Sequence, residues 1–155
     1  EQTARAHCRR RDGTIFPQPV DGFKLSQRFR HVIEEGRRVE SSLQALEAGE
    51  VREFGKLMNL SHESCRDLYE ISCPELDKLV EVFLDSGALG ARLTGAGFGG
   101  CAISLVEDGR VEDFLRQVAQ LYYREYLKYP GNDFYAGLFA CKAVDGADVM
   151  FAERG

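Results

Sequence analysis

The residues best suited to chemistry gather in one stretch of this 155-residue sequence, Arg92-Leu93-Thr94-Gly95-Ala96-Gly97-Phe98-Gly99-Gly100. Glycine fills four of the six positions from Gly95 to Gly100. It reaches backbone angles closed to other residues but costs more entropy to order, so this density needs a reason. One reason is a tight connection whose exposed amides converge on an anion. Arg92 and Thr94 would add a positive charge and a hydroxyl at its entrance. The other is a hairpin whose tip simply needs glycine.

Three better-known glycine motifs do not fit. Gly95, Gly97 and Gly100 satisfy G-x-G-x-x-G, but a dinucleotide site needs a helix after the motif, and Cys101 to Val106 reads as a strand. No Gly-Lys-Ser/Thr follows, which excludes a Walker loop. The strand lysine, H-R-D and D-F-G of protein kinases are also missing. Elsewhere, His62 beside Glu63 suggests acid–base work, against the plainer reading of hydrogen-bonded or solvated helix residues. His62 and Cys65 lie three apart, but no second ligand pair completes a zinc pattern, so no metal site is expected.

Patterning supplies the elements that hold this stretch. Residues 1–24 lack periodicity, carry the basic cluster Arg9-Arg10-Arg11 and several turn signals, and read as a connector or arm and not as a core element. Residues 25–155 read as one domain. A helix is expected over Ser26–Ala48, capped by Ser26, stopped by Gly49 and marked by Phe29, Val32, Ile33, Val39, Leu43 and Leu46. Its pair Glu34–Arg38 reads as a surface feature. A second helix, Val51–Tyr69, has Val51, Phe54, Leu57, Met58, Cys65 and Leu68 on its apolar side. Ser72 to Glu75 fits a capping box, with Pro74 in the first turn of a third helix that Gly87 ends. Strands over Ala88–Leu93 and Cys101–Val106 flank the glycines. A helix over Val111–Leu127, a turn at Tyr129-Pro130-Gly131-Asn132, a strand over Phe134–Val144 and a turn at Asp145-Gly146 complete the order. Local strand pairs with helices on one face make the fold class α+β, built on an antiparallel sheet.

Composition narrows the function. The 44% hydrophobic and 29% charged fractions are ordinary for a globular domain. A net charge of −5 argues against general nucleic-acid binding. No apolar run approaches a membrane span, and the first residues lack the apolar core of a signal peptide. Cys8, Cys65, Cys73, Cys101 and Cys141 are odd in number and scattered, which suits reduced thiols in a cytoplasmic protein.

The stretch Arg92 to Gly100 resembles the third signature motif of the GHMP small-molecule kinases. Ser61-His62-Glu63-Ser64-Cys65-Arg66-Asp67-Leu68-Tyr69-Glu70-Ile71-Ser72-Cys73-Pro74-Glu75-Leu76-Asp77 is similar to a segment typical of galactokinases, and Phe134 to Ala147 resembles their closing strand and turn. Ser64 to Asp67 and Leu138-Phe139-Ala140 are also similar to N-acetylgalactosamine kinases, which leaves the sugar open. The resemblance implies the C-terminal domain of a two-domain enzyme that phosphorylates a sugar's anomeric hydroxyl with ATP. The family's Gly-Glu-His sugar motif and its Pro-x-x-x-Gly-Leu-Ser-Ser-Ser phosphate cradle do not occur in this sequence. Neither do the aspartate and arginine assigned to catalysis.

ATP and Mg²⁺ are therefore expected to bind mainly to an N-terminal half. Thr94, Gly95, Ala96, Gly97, Phe98, Gly99 and Gly100 are expected to wall the substrate cleft, and no catalytic residue is assigned here. Arg92 either contacts phosphate or pairs structurally. If the turn approaches substrate closely, Gly97→Val should cost activity far more than stability. The expected partners are a small-molecule sugar, ATP and the N-terminal half, and the chain alone is expected to be inactive. A sugar-sensing module without turnover and a stand-alone scaffold are the competing readings.

Overall fold

The structure, a computed structural model, describes residues 11–15, 17, 19–131, 133–134 and 136–143. Among the described residues, four α-helices and one hairpin follow in the order α1 (Leu25–Glu47), α2 (Val51–Ser64), α3 (Pro74–Asp85), β1 (Gly90–Thr94), β2 (Cys101–Leu105) and α4 (Val111–Val118). Both α2 and α4 run on into wider π-helical turns, Cys65–Tyr69 and Ala119–Tyr126. The hairpin is antiparallel, with Gly90 opposite Leu105 and Thr94 opposite Cys101.

The main core lies between α3, the hairpin and α4. Val80, Val82 and Phe83 meet Phe114, Val118 and Tyr122, with Ala91 beneath them. Phe83 and Phe114 sit with ring centroids 5.5 Å apart. Burial holds the Tyr122 hydroxyl neutral, its pKa pushed up to about 12. Cys65, Leu76 and Leu93 form a second small cluster under the end of β1. Each large aliphatic side chain taken out of water in this way contributes about 2 kcal/mol.

Helix α2 lies flush against β1, and glycine makes this possible. A Cβ on Gly55 would fall 2.3 Å from the Leu89 carbonyl oxygen, and one on Gly90 would fall 2.2 Å from the Gly55 carbonyl oxygen. Asn59 and His62 follow Gly55 on the same helix face. The Ala91 amide donates to Asn59 Oδ1 (2.8 Å) and the Leu93 amide to His62 Nδ1 (3.3 Å). Helix side chains thus occupy the edge of β1 that faces away from β2. That satisfies buried backbone donors and closes the edge to further pairing.

Several expectations are corrected here. Residues 136–143 contain a turn and no strand, and Phe134 and Leu138 are instead buried as core side chains. Helix α2 occupies the outer edge of β1, and among the described residues no strand pairs along the outer edge of β2. The residue preceding α3 is Cys73, with no side-chain cap; Ser72 donates its hydroxyl to Asp77 (2.5 Å), so no capping box forms, while Pro74 does open the helix. Lys24, not Ser26, precedes α1, and Gly49 follows it with φ +71° as a stop.

The apolar stripe that marks α1 is exposed, and the helix instead meets α2 through His31, whose Nδ1 lies 2.9 Å from Ser64 Oγ, and Glu35, which accepts from Ser61. Arg38 is half-buried, bonded to Glu35 (2.5 Å) and 3.7 Å from Glu34, so that pair is not a plain surface feature. The buried face of α2 is likewise partly polar. Met58 and Cys65 are joined in it by Ser61, His62 and Ser64. Residues 1–10, Asn132, Tyr135, the turn at Asp145-Gly146 and the apolar run Val149–Phe151 lie outside the described residues.

Candidate functional site

The glycine turn is built on left-handed backbone. Gly95, Gly97, Gly99 and Gly100 have φ of +81°, +79°, +113° and +94°, and Phe98 joins them at +58°. These are the angles that glycine alone adopts without cost. The turn is pinned at its middle. The Phe98 amide donates to the Ile71 carbonyl oxygen at 2.7 Å. Gly97 presses on the same residue: a Cβ there would lie 2.3 Å from that oxygen. The close approach at Gly97 is therefore to its own domain, so a side chain there costs stability whatever it does to substrate.

The rest of the turn is open. A Cβ on Gly95, Gly99 or Gly100 would meet nothing within 4 Å. Gly95, Ala96 and Gly100 are exposed, Phe98 is 74% exposed, and Thr94 is half-buried. Among the described residues, the amides of Gly95, Ala96, Gly97, Gly99 and Gly100 have no backbone acceptor outside the hairpin ladder. A run of left-handed residues with unspent amides can take an oxyanion or a hydroxyl oxygen.

Ile71 holds the turn because the chain reverses just before it. Glu70 sits in the left-handed region (φ +59°) after the π-helical turn. Its carboxylate bonds Lys24 Nζ and Arg28 Nη2, both at 2.5 Å, and these bonds hold it below the usual carboxylate range. Arg28 also donates to the Leu68 carbonyl oxygen. The start of α1 and the support of the glycine turn are thus tied to one carboxylate.

Arg92 is committed within the domain. Its Nε donates to the Leu93 carbonyl oxygen (3.0 Å), and Nη1 lies 3.9 Å from Glu35 Oε2, an oxygen that also accepts from Ser61 (2.7 Å). Of the two roles open to Arg92, the geometry supports structural pairing. His62 is also structural. It is almost fully buried, and desolvation lowers its pKa despite Asp77 Oδ1 at 3.3 Å from Nε2, so it is neutral near pH 7. Glu63 on the next position is exposed. Burial pushes the Cys65 thiol up, away from the reactive thiolate form. The four described cysteines are all free. Among the described residues, no three His, Cys, Asp or Glu side chains gather closely enough to hold a metal ion. No described helix is long and apolar enough to cross a membrane.

A cleft of about 490 Å³ opens elsewhere, between α2 and α3. Asn59, His62, Arg66, Asp77 and Tyr126 line it, and none of residues 94–100 does. The site residues expected from sequence are therefore brought together as one exposed rim and are not enclosed by this chain. Sequence reasoning missed Asn59 and Ile71 as its supports. The signal for Asn59 was a polar residue one turn after a helix-interior glycine; the signal for Ile71 was absent, since its contact is through backbone.

The family model for the C-terminal domain of GHMP kinases matches residues 42–124. The chain belongs to the GHMP kinases. Among individual relatives, it is 46% identical over 132 residues to a galactokinase from Roseiflexus sp. (strain RS-1), covering 84% of this chain and 31% of that protein. It is 42% identical over 131 residues to the galactokinase of Homo sapiens, covering 84% and 30%. A crystal structure of Lactococcus lactis galactokinase complexed with galactose superimposes with a TM-score of 0.65 at 44% identity, over 72% of this chain and 29% of that one. The chain thus spans less than a third of the length of these relatives. The matched fold is the α+β C-terminal domain, with its helices and antiparallel hairpin.

Proposed function

We propose that this GHMP kinase chain is the C-terminal domain of a galactokinase, an ATP-dependent sugar kinase that phosphorylates the anomeric hydroxyl of galactose. The observation that carries this reading is the pinned but open turn from Thr94 to Gly100, in a chain whose relatives are galactokinases. Phosphoryl transfer depends on positioning and on neutralising charge at the transferred group. The free rim of the turn contributes amides and close backbone approach, as one wall of a site whose other wall belongs to an N-terminal half. That half would supply most of the groups that hold ATP and Mg²⁺, as the family pattern implies. When bound, ATP with Mg²⁺ would supply the phosphoryl group and the charge neutralisation, and the exposed amides of residues 95–100 would help to position the acceptor. The free thiols suit a cytoplasmic enzyme.

The test is ADP release by the gene product that carries the upstream coding sequence, assayed with galactose, N-acetylgalactosamine and a panel of other hexoses. Galactose-dependent release is expected, with none from residues 1–155 alone. Phosphorylation of N-acetylgalactosamine in preference would move the specificity. Binding of galactose without any turnover would mark a sugar sensor, and turnover by residues 1–155 alone would end the two-half reading.

A further inference from the structure

Helix α1 presents its apolar residues outward. Phe29, Val32, Ile33, Val39, Leu43 and Leu46 fall on one face, and each is between 51% and 67% exposed. The stripe runs over about five turns, far more than scattered surface apolar residues make. Gly36 lies at its centre, and a Cβ there would meet nothing within 4 Å. Glycine weakens a helix interior relative to alanine, so its own domain gives no reason for it. Gly55 shows what an interior glycine does in this protein: it lets another backbone press against the helix.

We infer that this stripe is the docking face for the N-terminal part of the same polypeptide, which lays an apolar element along α1 and brings its backbone close at Gly36. This rests on the reading of the chain as one domain of a longer kinase. The relatives are about three times as long as the matched region, and that region is the family's C-terminal domain, so a large partner in the same polypeptide is at hand. The ends of the present chain are poor alternatives. Residues 1–10 are mostly polar and charged, and the run Val149–Phe151 is three residues long against six side chains.

The experiment uses the full gene product and two variants. Val39→Lys is expected to lower its melting temperature by about 5 °C, because a charge is forced into a covered apolar seam. Val32→Cys, in a background without other reactive thiols, is expected to react with maleimide at least about tenfold more slowly in the folded protein than in urea. Unchanged melting with rapid labelling in the folded, monomeric gene product would overturn the inference. Protection that appears only as the protein dimerises would also overturn it and assign the face to a second copy. Neither readout involves sugar. A protein that protects Val32→Cys yet phosphorylates nothing would remove the kinase reading and leave this one standing.

Discussion

Replacing Gly97 by alanine should damage folding more than any other single methyl added to the glycine turn. The residue has φ +79°, and an L side chain in that region costs about 1 kcal/mol. The new Cβ would lie 2.3 Å from the Ile71 carbonyl oxygen and 2.9 Å from Ile71 Cβ, inside any normal contact. Relieving that overlap means moving one backbone off another, which costs about 2 kcal/mol in a packed setting. The same movement weakens the bond from the Phe98 amide to Ile71, 2.7 Å long, for about 1 kcal/mol more. The total is about 4 kcal/mol. Gly95 supplies the control, with nearly the same φ of +81° and nothing within 4 Å of its Cβ position. Gly95→Ala should therefore cost only the backbone term of about 1 kcal/mol. Equilibrium urea unfolding of the gene product, wild type and both variants, measures the difference. If the two variants are equally stable, the anchoring of the turn on Ile71 is wrong. A Gly97→Ala protein that keeps its stability and loses only turnover would assign Gly97 to substrate and not to the anchor.

Two further outcomes follow from the edge of β1. His62 has a folded pKa below its ordinary value, so the unfolded chain binds its proton first; its contribution to stability is complete above about pH 6.5 and declines as pH falls from there toward the lowered folded pKa. Unfolding curves between pH 7.5 and 5.5 should show that decline, and His62→Gln should flatten it; an unchanged slope in the variant would place the proton elsewhere. Asn59→Leu should cost about 2 kcal/mol by leaving the Ala91 amide without its acceptor, whereas Asn59→Asp, which keeps Oδ1, should recover most of the loss in thermal melts at neutral pH. Equal melting of the two variants would show that Asn59 acts through its size alone.

The helices and the hairpin were legible because their signals are local. Period and stop residues place α1 to α4 within a few residues, and the glycines place the bend between β1 and β2. What faces what was less legible. The apolar stripe of α1 has the right period for a helix, yet the face that packs on α2 carries His31 and Glu35. Periodicity reports that a surface will be covered, not by which partner. The strand expected over Phe134–Val144 failed for a related reason: apolar alternation cannot tell a ladder position from a core position, and Phe134 and Leu138 took the latter. At the site, residue types were enough to select residues 94–100, while the division of labour among them depends on Ile71, whose contribution is a carbonyl oxygen that any residue would carry.

That division of labour explains how a loop of four glycines can be both ordered and available. Glycine is expensive to fix, and a turn free at every position would be a poor positioning device. Here the entrance is held by β1, whose outer amides are bonded to Asn59 and His62 on a helix that Gly55 allows to lie against the strand. The middle is held by Phe98 and Gly97 on Ile71. Only Gly95, Ala96, Gly99 and Gly100 are left to face outward, and their amides are fixed by their neighbours before any ligand arrives. Donors that need no rearrangement on binding are the kind that stabilise developing charge most effectively. A flexible turn of the same composition would spend that advantage on ordering itself, so the anchoring by α2 and Ile71 is as much a part of the site as the glycines are.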